Sequence, residues 1–181
     1  MNSRSVVAAV GAAVIVALLT ACTPEPQPAP TPTPTSTGFA SEADAFAAAE
    51  ETYRAYVDAL NQVDLSDPAT FEAVYAWTTG DLNASDKKNF TQWSAEGYEI
   101  TGEAAVSRVA PVAFVSGRVG EVALEACYDI HEVDVLDRSG ASIVSAERPA
   151  IQALRILMVE SAATPTALTI STIESAQDLS C

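Results

Sequence analysis

Hydrophobic residues after position 40 first recur every three to four residues, the spacing of an amphipathic helix. Ser41 precedes the repeat as an expected N-cap, and Asp44 stands three positions later, as in a weak capping box. The pattern therefore predicts a long helix that ends near Asn61. Its apolar stripe comprises Phe46, Ala49, Tyr53, Tyr56, Val57 and Leu60.

Two shorter helices are expected next. Asp67 before Pro68 combines a cap with a proline at the first helical position, and Gly80 is the expected end of that helix. Ser85 is the expected cap of the third helix, and Gly97 stands where a C-terminal glycine is favoured. The apolar contacts of these two helices are expected from Phe71, Val74, Tyr75, Phe90 and Trp93.

After residue 97 the pattern changes to β-branched and alternating apolar residues, separated by glycine and proline. Strands are predicted at residues 98–109, 119–135, around 143, 150–160 and 167–173. Turn-forming residues lie at 137–140 and at 164–165. The connections are too short for crossover helices, so the sheet should be antiparallel. Within the second strand the apolar parity switches at Val133, which predicts a bulge near His131.

This order predicts an α+β fold with N-terminal helices packed on a curved antiparallel sheet. Residues 40–181 resemble the nuclear transport factor two-like, or SnoaL-like, cone fold of actinobacterial lipoproteins and mammalian-cell-entry-associated proteins. Three sequence phrases support that resemblance: AAEETYRAYV at 48–57, Trp93 through Gly97 and Tyr98 to Gly102, and Cys-Tyr-Asp at 127–129 with Cys181. The resemblance implies a single cone-like domain with a pocket at its wide mouth. The same scaffold hosts enzymes, binding proteins and oligomerisation modules, so the fold does not decide function.

The start of the sequence has the pattern of an export signal. Arg4 is followed by an apolar run from Val6 to Leu19 that suits the hydrophobic region of a signal peptide. The phrase LTAC at 19–22 resembles the lipobox of bacterial lipoproteins. The resemblance implies removal of residues 1–21, attachment of diacylglycerol to Cys22 and further acylation, for example with palmitate. We therefore expect a secreted protein held by lipid on the extracytoplasmic face of the cell membrane.

Residues 22–39 form a Pro/Thr-rich segment with proline at nearly every second position up to Pro34. Such spacing prevents hydrogen-bonded structure and favours polyproline II, which at about 3.1 Å per residue would extend ~50 Å. The segment is interpreted as a tether, with recognition of its prolines by a partner as the alternative.

The net charge of −15 excludes nucleic acid as an expected partner, because a polyanion is repelled by phosphate. Removal of the leader would take away one basic residue and no acidic residue. The mature chain would be more acidic still. Solubility at a cell surface is the simplest explanation of the charge.

If Cys22 is acylated, two cysteines remain, Cys127 and Cys181. Two thiols in an oxidising compartment permit one intramolecular pairing, so we expect a disulfide between them. Two free thiols or an intermolecular bridge are the alternatives. With one histidine in the chain and these cysteines paired, we expect no metal site and no cofactor.

Candidate chemistry is sparse. Asp129 and His131 stand two apart in a predicted strand and share a face, so a carboxylate and imidazole pair acting in general-base catalysis is conceivable. An exposed or structural His131 is the competing interpretation. Candidate pocket residues are Tyr53, Tyr56, Trp77, Trp93, Asp129 and His131, although aromatic residues at helical spacing more often belong to a core.

The leading hypothesis from the sequence is a non-enzymatic, lipid-anchored envelope protein. Its domain is expected to bind another envelope protein or an apolar small molecule. The alternative is a small hydrolase or isomerase that uses Asp129 and His131. An enzyme would need His131 inside a cavity beside a carboxylate.

Overall fold

The computed structural model describes residues 38–115, 120–176 and 178–181. Within them, two long helices pack against one face of a curved antiparallel sheet and a short helix packs against both of them, and the predicted α+β class is confirmed. The predicted signal peptide, the predicted acylation site Cys22 and nearly all of the predicted tether lie outside the described residues.

Helix α1 spans Glu42–Asn61. Its N-cap is Ser41, whose Oγ accepts a hydrogen bond from the backbone N–H of Asp44 at 3.1 Å. The same hydroxyl donates to the Asp44 carboxylate at 2.8 Å, so the predicted start of the helix is confirmed. The expected stripe faces the sheet, and Tyr53 is almost fully buried.

The second helical region begins as predicted and ends differently. Asp67 caps a 3₁₀ turn at Pro68–Thr70 by accepting a hydrogen bond from the N–H of Ala69, and α2 follows at Phe71–Tyr75. Gly80 does not end this helix. It is the first residue of α3, which spans Gly80–Glu96.

The start of α3 is fixed by contacts with the distant strand segment around Ile170. The Thr79 N–H donates to the Ile170 carbonyl at 2.9 Å, and the Ile170 N–H donates to the Trp77 carbonyl at 2.8 Å. These bonds hold Thr79 in an extended conformation, so it becomes the N-cap residue. Ser85, the predicted cap, consequently lies inside the helix. Gly97 ends α3 in a left-handed conformation with φ of 70°, as expected.

The main sheet has four strands in the order β2-β3-β5-β6, and a separate pair joins β1 to β4, all antiparallel as predicted. The strand bounds are β1 Glu99–Thr101, β2 Ala105–Val115, β3 Glu121–Asp129, β4 Asp134–Leu136, β5 Ile151–Glu160 and β6 Leu168–Ser175. The core lies between the sheet and the helices. Its largest fully buried side chains are Tyr53, Val74, Val122, Leu124, Ile156, Met158, Leu168 and Ile170.

The first predicted strand, 98–109, is divided into β1 and β2 at Gly102. This glycine has φ of 74°, and a Cβ there would overlap the carbonyl oxygen of Glu132. A side chain at this position would therefore separate two segments that the fold brings into contact.

The second predicted strand, 119–135, is also divided, so the expected bulge near His131 is wrong. β3 ends at Asp129, whose carboxylate accepts the His131 N–H at 3.0 Å and stabilises a turn. The chain resumes as β4 at Asp134. The register shifts of the main sheet lie at other positions. Two are in β2, at Val106/Arg108 and Pro111/Ala113, and one is in the β5–β6 pair at Leu157/Met158.

The turn at 137–140 is confirmed. The Asp137 carboxylate accepts the backbone N–H groups of Ser139 and Ala141, and Gly140 supplies a φ of 80°. The strand expected around residue 143 is reduced to one isolated bridge between Leu136 and Ser142.

The predicted disulfide between Cys127 and Cys181 is confirmed. Their Cα atoms are 5.7 Å apart across a sequence separation of 54 residues. The bond joins the segment after β6 to the face of β3 opposite the helices. Throughout the part of the chain that the structure describes, no helix is both long and apolar enough to cross a bilayer.

Candidate functional site

A cavity of about 310 Å³ lies between α3, the end of α1 and the inner face of the sheet. Helix α3 supplies Asp86, Asn89, Phe90 and Trp93. These positions are three, four and seven residues apart, so they share one face of the helix. The cavity is therefore built on a continuous helical wall.

The opposite wall comes from strands and from the loop after β3. Ile100 of β1 lies opposite Val135 of β4, and the wall continues with Tyr128 of β3 and with Ile130 in the loop after β3. The remaining apolar lining is contributed by Leu60, Val63, Ala104 and Val133. Most of the surface that a ligand would meet is thus hydrocarbon, as in other small-molecule sites.

Two polar residues of the cavity hold its walls together. The Asn61 amide donates to the Ala104 carbonyl and accepts the Ala104 N–H, both at 2.9 Å. Arg148 Nη2 donates to the carbonyls of Ile130 and Val133, which stabilises the turn between β3 and β4. These hydrogen bonds fix the backbone around the cavity.

Asp86 differs from these residues. Its Oδ2 is buried and has no hydrogen-bond partner in the described part of the chain. Burial raises the pKa of Asp86 to about 6, and the hydrogen bond with the Thr78 side chain opposes that rise only in part. The carboxyl group thus occupies an environment that disfavours its charged form.

Tyr128 lies across the cavity from α3, and its phenol also feels the apolar surroundings. Burial raises the pKa of Tyr128, whereas the positive charge of Arg148 lowers it by a smaller amount. Tyr128 is therefore a neutral hydroxyl under ordinary conditions and acts as a hydrogen-bond donor or acceptor.

An open groove adjoins the cavity. It has a volume of about 650 Å³ and shares Val63 and Ile100 with the cavity lining. Its other residues are mostly polar: Asp64, Leu65, Ser66, Ser94, Gly97, Tyr98 and Glu99. The groove provides a route from solvent to the two shared apolar side chains.

Of the six pocket residues proposed from the sequence, Trp93 lines the cavity. Tyr53 and Tyr56 are buried in the core, where their rings stack with centroids 6.5 Å apart. Trp77 is half-buried before α3 and packs against the core. Asp129 is the last residue of β3 and His131 lies in the turn that follows, and neither lines the cavity. The aromatic residues of α1 thus belong to the interior of the domain.

Sequence reasoning missed Asp86, Tyr128 and Arg148. Asp86 precedes Phe90 and Trp93 by four and seven residues, so the helical spacing that identified the two aromatic residues also points to Asp86. The expected cap at Ser85 obscured this signal, because it placed Asp86 in the first turn of a helix where acidic residues are common.

Asp129 and His131 do form a pair. The His131 Nδ1 lies 2.8 Å from Asp129 Oδ1, and its Nε2 lies 3.5 Å from Glu132 Oε1. The hydrogen bond with Asp129 is the main cause that raises the pKa of His131, and the bonds from His131 lower the pKa of Asp129. The His131 side chain is 62% exposed and borders an open surface depression.

No group of three or more His, Cys, Asp or Glu side chains in the described ranges has a geometry suited to a metal ion. The arrangement in the cavity instead combines hydrocarbon walls with a buried carboxyl group and a phenol. Such a site suits a small ligand held mainly by apolar contact and oriented by a few hydrogen bonds.

No family model and no curated protein matches the chain. Solved structures resemble it at low identity. The periplasmic fragment of TraM is 14% identical with a TM-score of 0.46, and the match covers 76% of this chain and 100% of that one. The periplasmic domain of DotI is 14% identical with a TM-score of 0.45, and the match covers 77% of this chain and 99% of that domain.

CagV, a VirB8 homologue of the T4SS from Helicobacter pylori strain 26695, is 9% identical with a TM-score of 0.40, and the match covers 72% of this chain and 99% of CagV. At such identities these likenesses assign neither a function nor a site residue to this chain.

Proposed function

We propose that this chain is a non-enzymatic binding module of the cell envelope, tethered by lipid on Cys22, whose domain binds a small apolar molecule in the cavity beside α3. The observation that carries the proposal is the cavity itself. It is preformed, lined mainly by apolar side chains and supplied with a few polar groups. Another envelope protein that inserts an apolar side chain there is the second form of the same proposal.

Two features support an extracytoplasmic location. The leader and the LTAC phrase at 19–22 have the order that lipoprotein export requires. The bond between Cys127 and Cys181 is a disulfide, and disulfides persist in oxidising compartments. Residues 22–39 would hold the domain away from the membrane surface.

The position of His131 supports binding over catalysis. A general base must reach its substrate within hydrogen-bond distance in a site that also positions the substrate. His131 is paired with a carboxylate, as the enzyme hypothesis requires, yet its ring is mostly exposed and does not line the cavity. The depression that His131 borders shares Val133 and Arg148 with the cavity, but the imidazole itself lies outside the cavity lining.

A fluorescence titration with N-phenylnaphthylamine tests the proposal, because this neutral probe brightens in apolar sites. The full chain should bind it saturably with one site. Ile100→Trp, which fills the boundary between groove and cavity, should weaken binding by at least about tenfold if a pocket of this size is blocked.

Val115→Trp is the control, since Val115 is exposed at the end of β2 and does not line the cavity. It introduces the same tryptophan side chain and should leave the affinity unchanged. Circular dichroism of both variants establishes that they are folded. Absence of saturable binding by the unmodified chain, or equal weakening by both folded variants, would show that the cavity is not the binding site.

A further inference from the structure

Asp86, which lines the cavity, has a buried carboxylate oxygen without a hydrogen-bond partner. Among the described buried side-chain nitrogen and oxygen atoms, Asp86 Oδ2 and Arg155 Nε have no partner, and of these two residues Asp86 lines the cavity. A buried polar atom without a partner costs free energy, so native proteins seldom retain one without a purpose.

We infer that, if the proposed function is correct, the ligand is an apolar molecule with an amino group at one end, and that Asp86 binds this amino group. An ammonium or amine donates to the carboxylate of Asp86, while its hydrocarbon body packs against Phe90, Trp93 and Ile100. Asp86 then sets the orientation and the chemical class of the ligand.

The other polar groups of the cavity do not offer an equivalent acceptor. The Asn61 amide is engaged with the backbone of Ala104 through both its donor and its acceptor. Arg148 supplies donors, and its Nη2 is bonded to two backbone carbonyls. A ligand that carries a carboxylate would bring negative charge toward Asp86 and would be repelled.

The ion pairs in residues 38–115, 120–176 and 178–181 include neither Asp86 nor Arg148, the two charged residues of the cavity. They differ in that Arg148 donates from Nη2 to backbone carbonyls, whereas Asp86 keeps an oxygen without a partner. The titratable groups around it are Tyr56, Tyr75, Tyr128, Arg148 and Lys87, and Lys87 lies over the Tyr75 ring. With a pKa of about 6, the carboxyl group is mostly ionised at neutral pH and gains from a cationic partner.

The size of the cavity limits the ligand. A volume of 310 Å³ lies at the lower end of small-molecule sites and equals about ten water volumes at ~30 Å³ each. A two-ring hydrocarbon with one short polar arm fits this space. A long lipid chain does not fit within the cavity alone.

Four naphthalene probes with one skeleton test the inference: naphthylmethylamine, naphthylmethanol, methylnaphthalene and naphthoic acid. Their affinities are measured on the full chain at neutral pH by displacement of N-phenylnaphthylamine. The amine should bind at least about tenfold more tightly than methylnaphthalene. The reason is that a hydrogen bond to a charged group contributes more free energy than a tenfold change in affinity requires. The acid should bind most weakly.

Asp86→Asn removes the charge and should abolish the advantage of the amine while methylnaphthalene binds as before. Asp81→Asn is the matched control, since it makes the same change in the exposed first turn of α3. It should preserve the order of the four affinities. The unchanged methylnaphthalene affinity also shows that the Asp86→Asn cavity remains intact.

Three other outcomes would overturn the role of Asp86 or the proposed function itself. Equal binding of the amine and methylnaphthalene, with no effect of Asp86→Asn, would overturn the role of Asp86 and leave the apolar binding function standing. Tighter binding of the acid would also overturn it. Failure of all four probes and of N-phenylnaphthylamine to bind would overturn the proposed function together with this inference.

Discussion

Asp129 Oδ1 accepts two hydrogen bonds from His131, one from the backbone N–H at 3.0 Å and one from the ring Nδ1 at 2.8 Å. The two bonds end β3 and orient the imidazole at the surface of the domain. The backbone bond forms at any pH at which Asp129 is ionised. The ring bond gains an ionic component when His131 is protonated, so the pair responds to pH.

The pKa of His131 should lie above its ordinary value of about 6.5. Asp129→Asn removes the largest cause of the rise and should return the pKa toward that value, whereas Glu132→Gln should change it less. Proton NMR titration of the single imidazole measures each pKa. A wild-type pKa at or below the ordinary value would contradict the paired geometry.

The sign of the linked stability follows from these shifts. Stabilisation through His131 is present at low pH and is lost as the pH rises through its raised folded pKa. Stabilisation through Asp129 is present above its unfolded pKa and is lost as the pH falls through its lowered folded pKa. The exposed pair therefore stabilises the fold between the lowered pKa of Asp129 and the raised pKa of His131. Its contribution to the free energy of unfolding is small, as for other surface ion pairs.

His131→Gln should leave both folding and probe binding nearly unchanged. Substitutions at exposed positions usually alter the free energy of unfolding by no more than about 0.5 kcal/mol. An enzyme that used His131 as general base would instead lose roughly a hundredfold of its rate. Thermal denaturation and N-phenylnaphthylamine titration measure the two properties. A deletion-like phenotype from a folded, normally abundant His131→Gln protein would favour catalysis.

Reduction of the bond between Cys127 and Cys181 should lower the melting temperature. Closure of a loop of 54 residues constrains the unfolded chain, which corresponds to at most about 4 kcal/mol of stability. Cys181→Ala should have the same effect, and Ser180→Ala is the neighbouring control. In the chain with Cys22→Ser, alkylation without reductant should add no mass. Alkylation at both cysteines of the native protein would contradict the bond.

Asp86→Asn should change how stability depends on pH. The folded pKa of about 6 exceeds the unfolded value, so wild-type stability gained through Asp86 is present at low pH and is lost as the pH rises through 6. At pH 7 the variant should be more stable by about 1 kcal/mol, after a discount for the partial exposure of the group.

Urea denaturation of wild type, Asp86→Asn and Asp81→Asn at pH 5 and pH 7 measures this difference. The difference in the free energy of unfolding between wild type and Asp86→Asn should be smaller at pH 5 than at pH 7. The difference between wild type and Asp81→Asn should not change with pH in this way. A constant gap at both pH values would mean that Asp86 titrates as an ordinary exposed carboxyl.

Cys22→Ser should abolish acylation, because the lipid is attached to the thiol of this residue in the proposed processing. Metabolic labelling with a fatty-acid analogue measures it directly. Thr23→Ser, which alters the neighbouring residue and keeps the thiol, should be labelled normally. Persistent label on the Cys22→Ser protein would exclude this anchor.

The sequence by itself determined the features that depend on near neighbours. The start of α1 at Ser41, its buried stripe and the end of α3 at Gly97 follow from capping chemistry and a period of 3.6 residues. The antiparallel sheet follows from the short connections. The pairing of Cys127 with Cys181 was also predictable, because few cysteines leave few partners.

Only the tertiary structure decided the start of α3, the division of the strands and the cavity. Thr79 becomes a helix cap because Ile170 pairs with its backbone, and Gly102 interrupts a strand because the Glu132 carbonyl approaches it. Asp86 borders a cavity whose other walls come from β1, β3 and β4. Local spacing encodes which face of an element is apolar, whereas burial depends on segments that are distant in sequence and meet only in the folded chain.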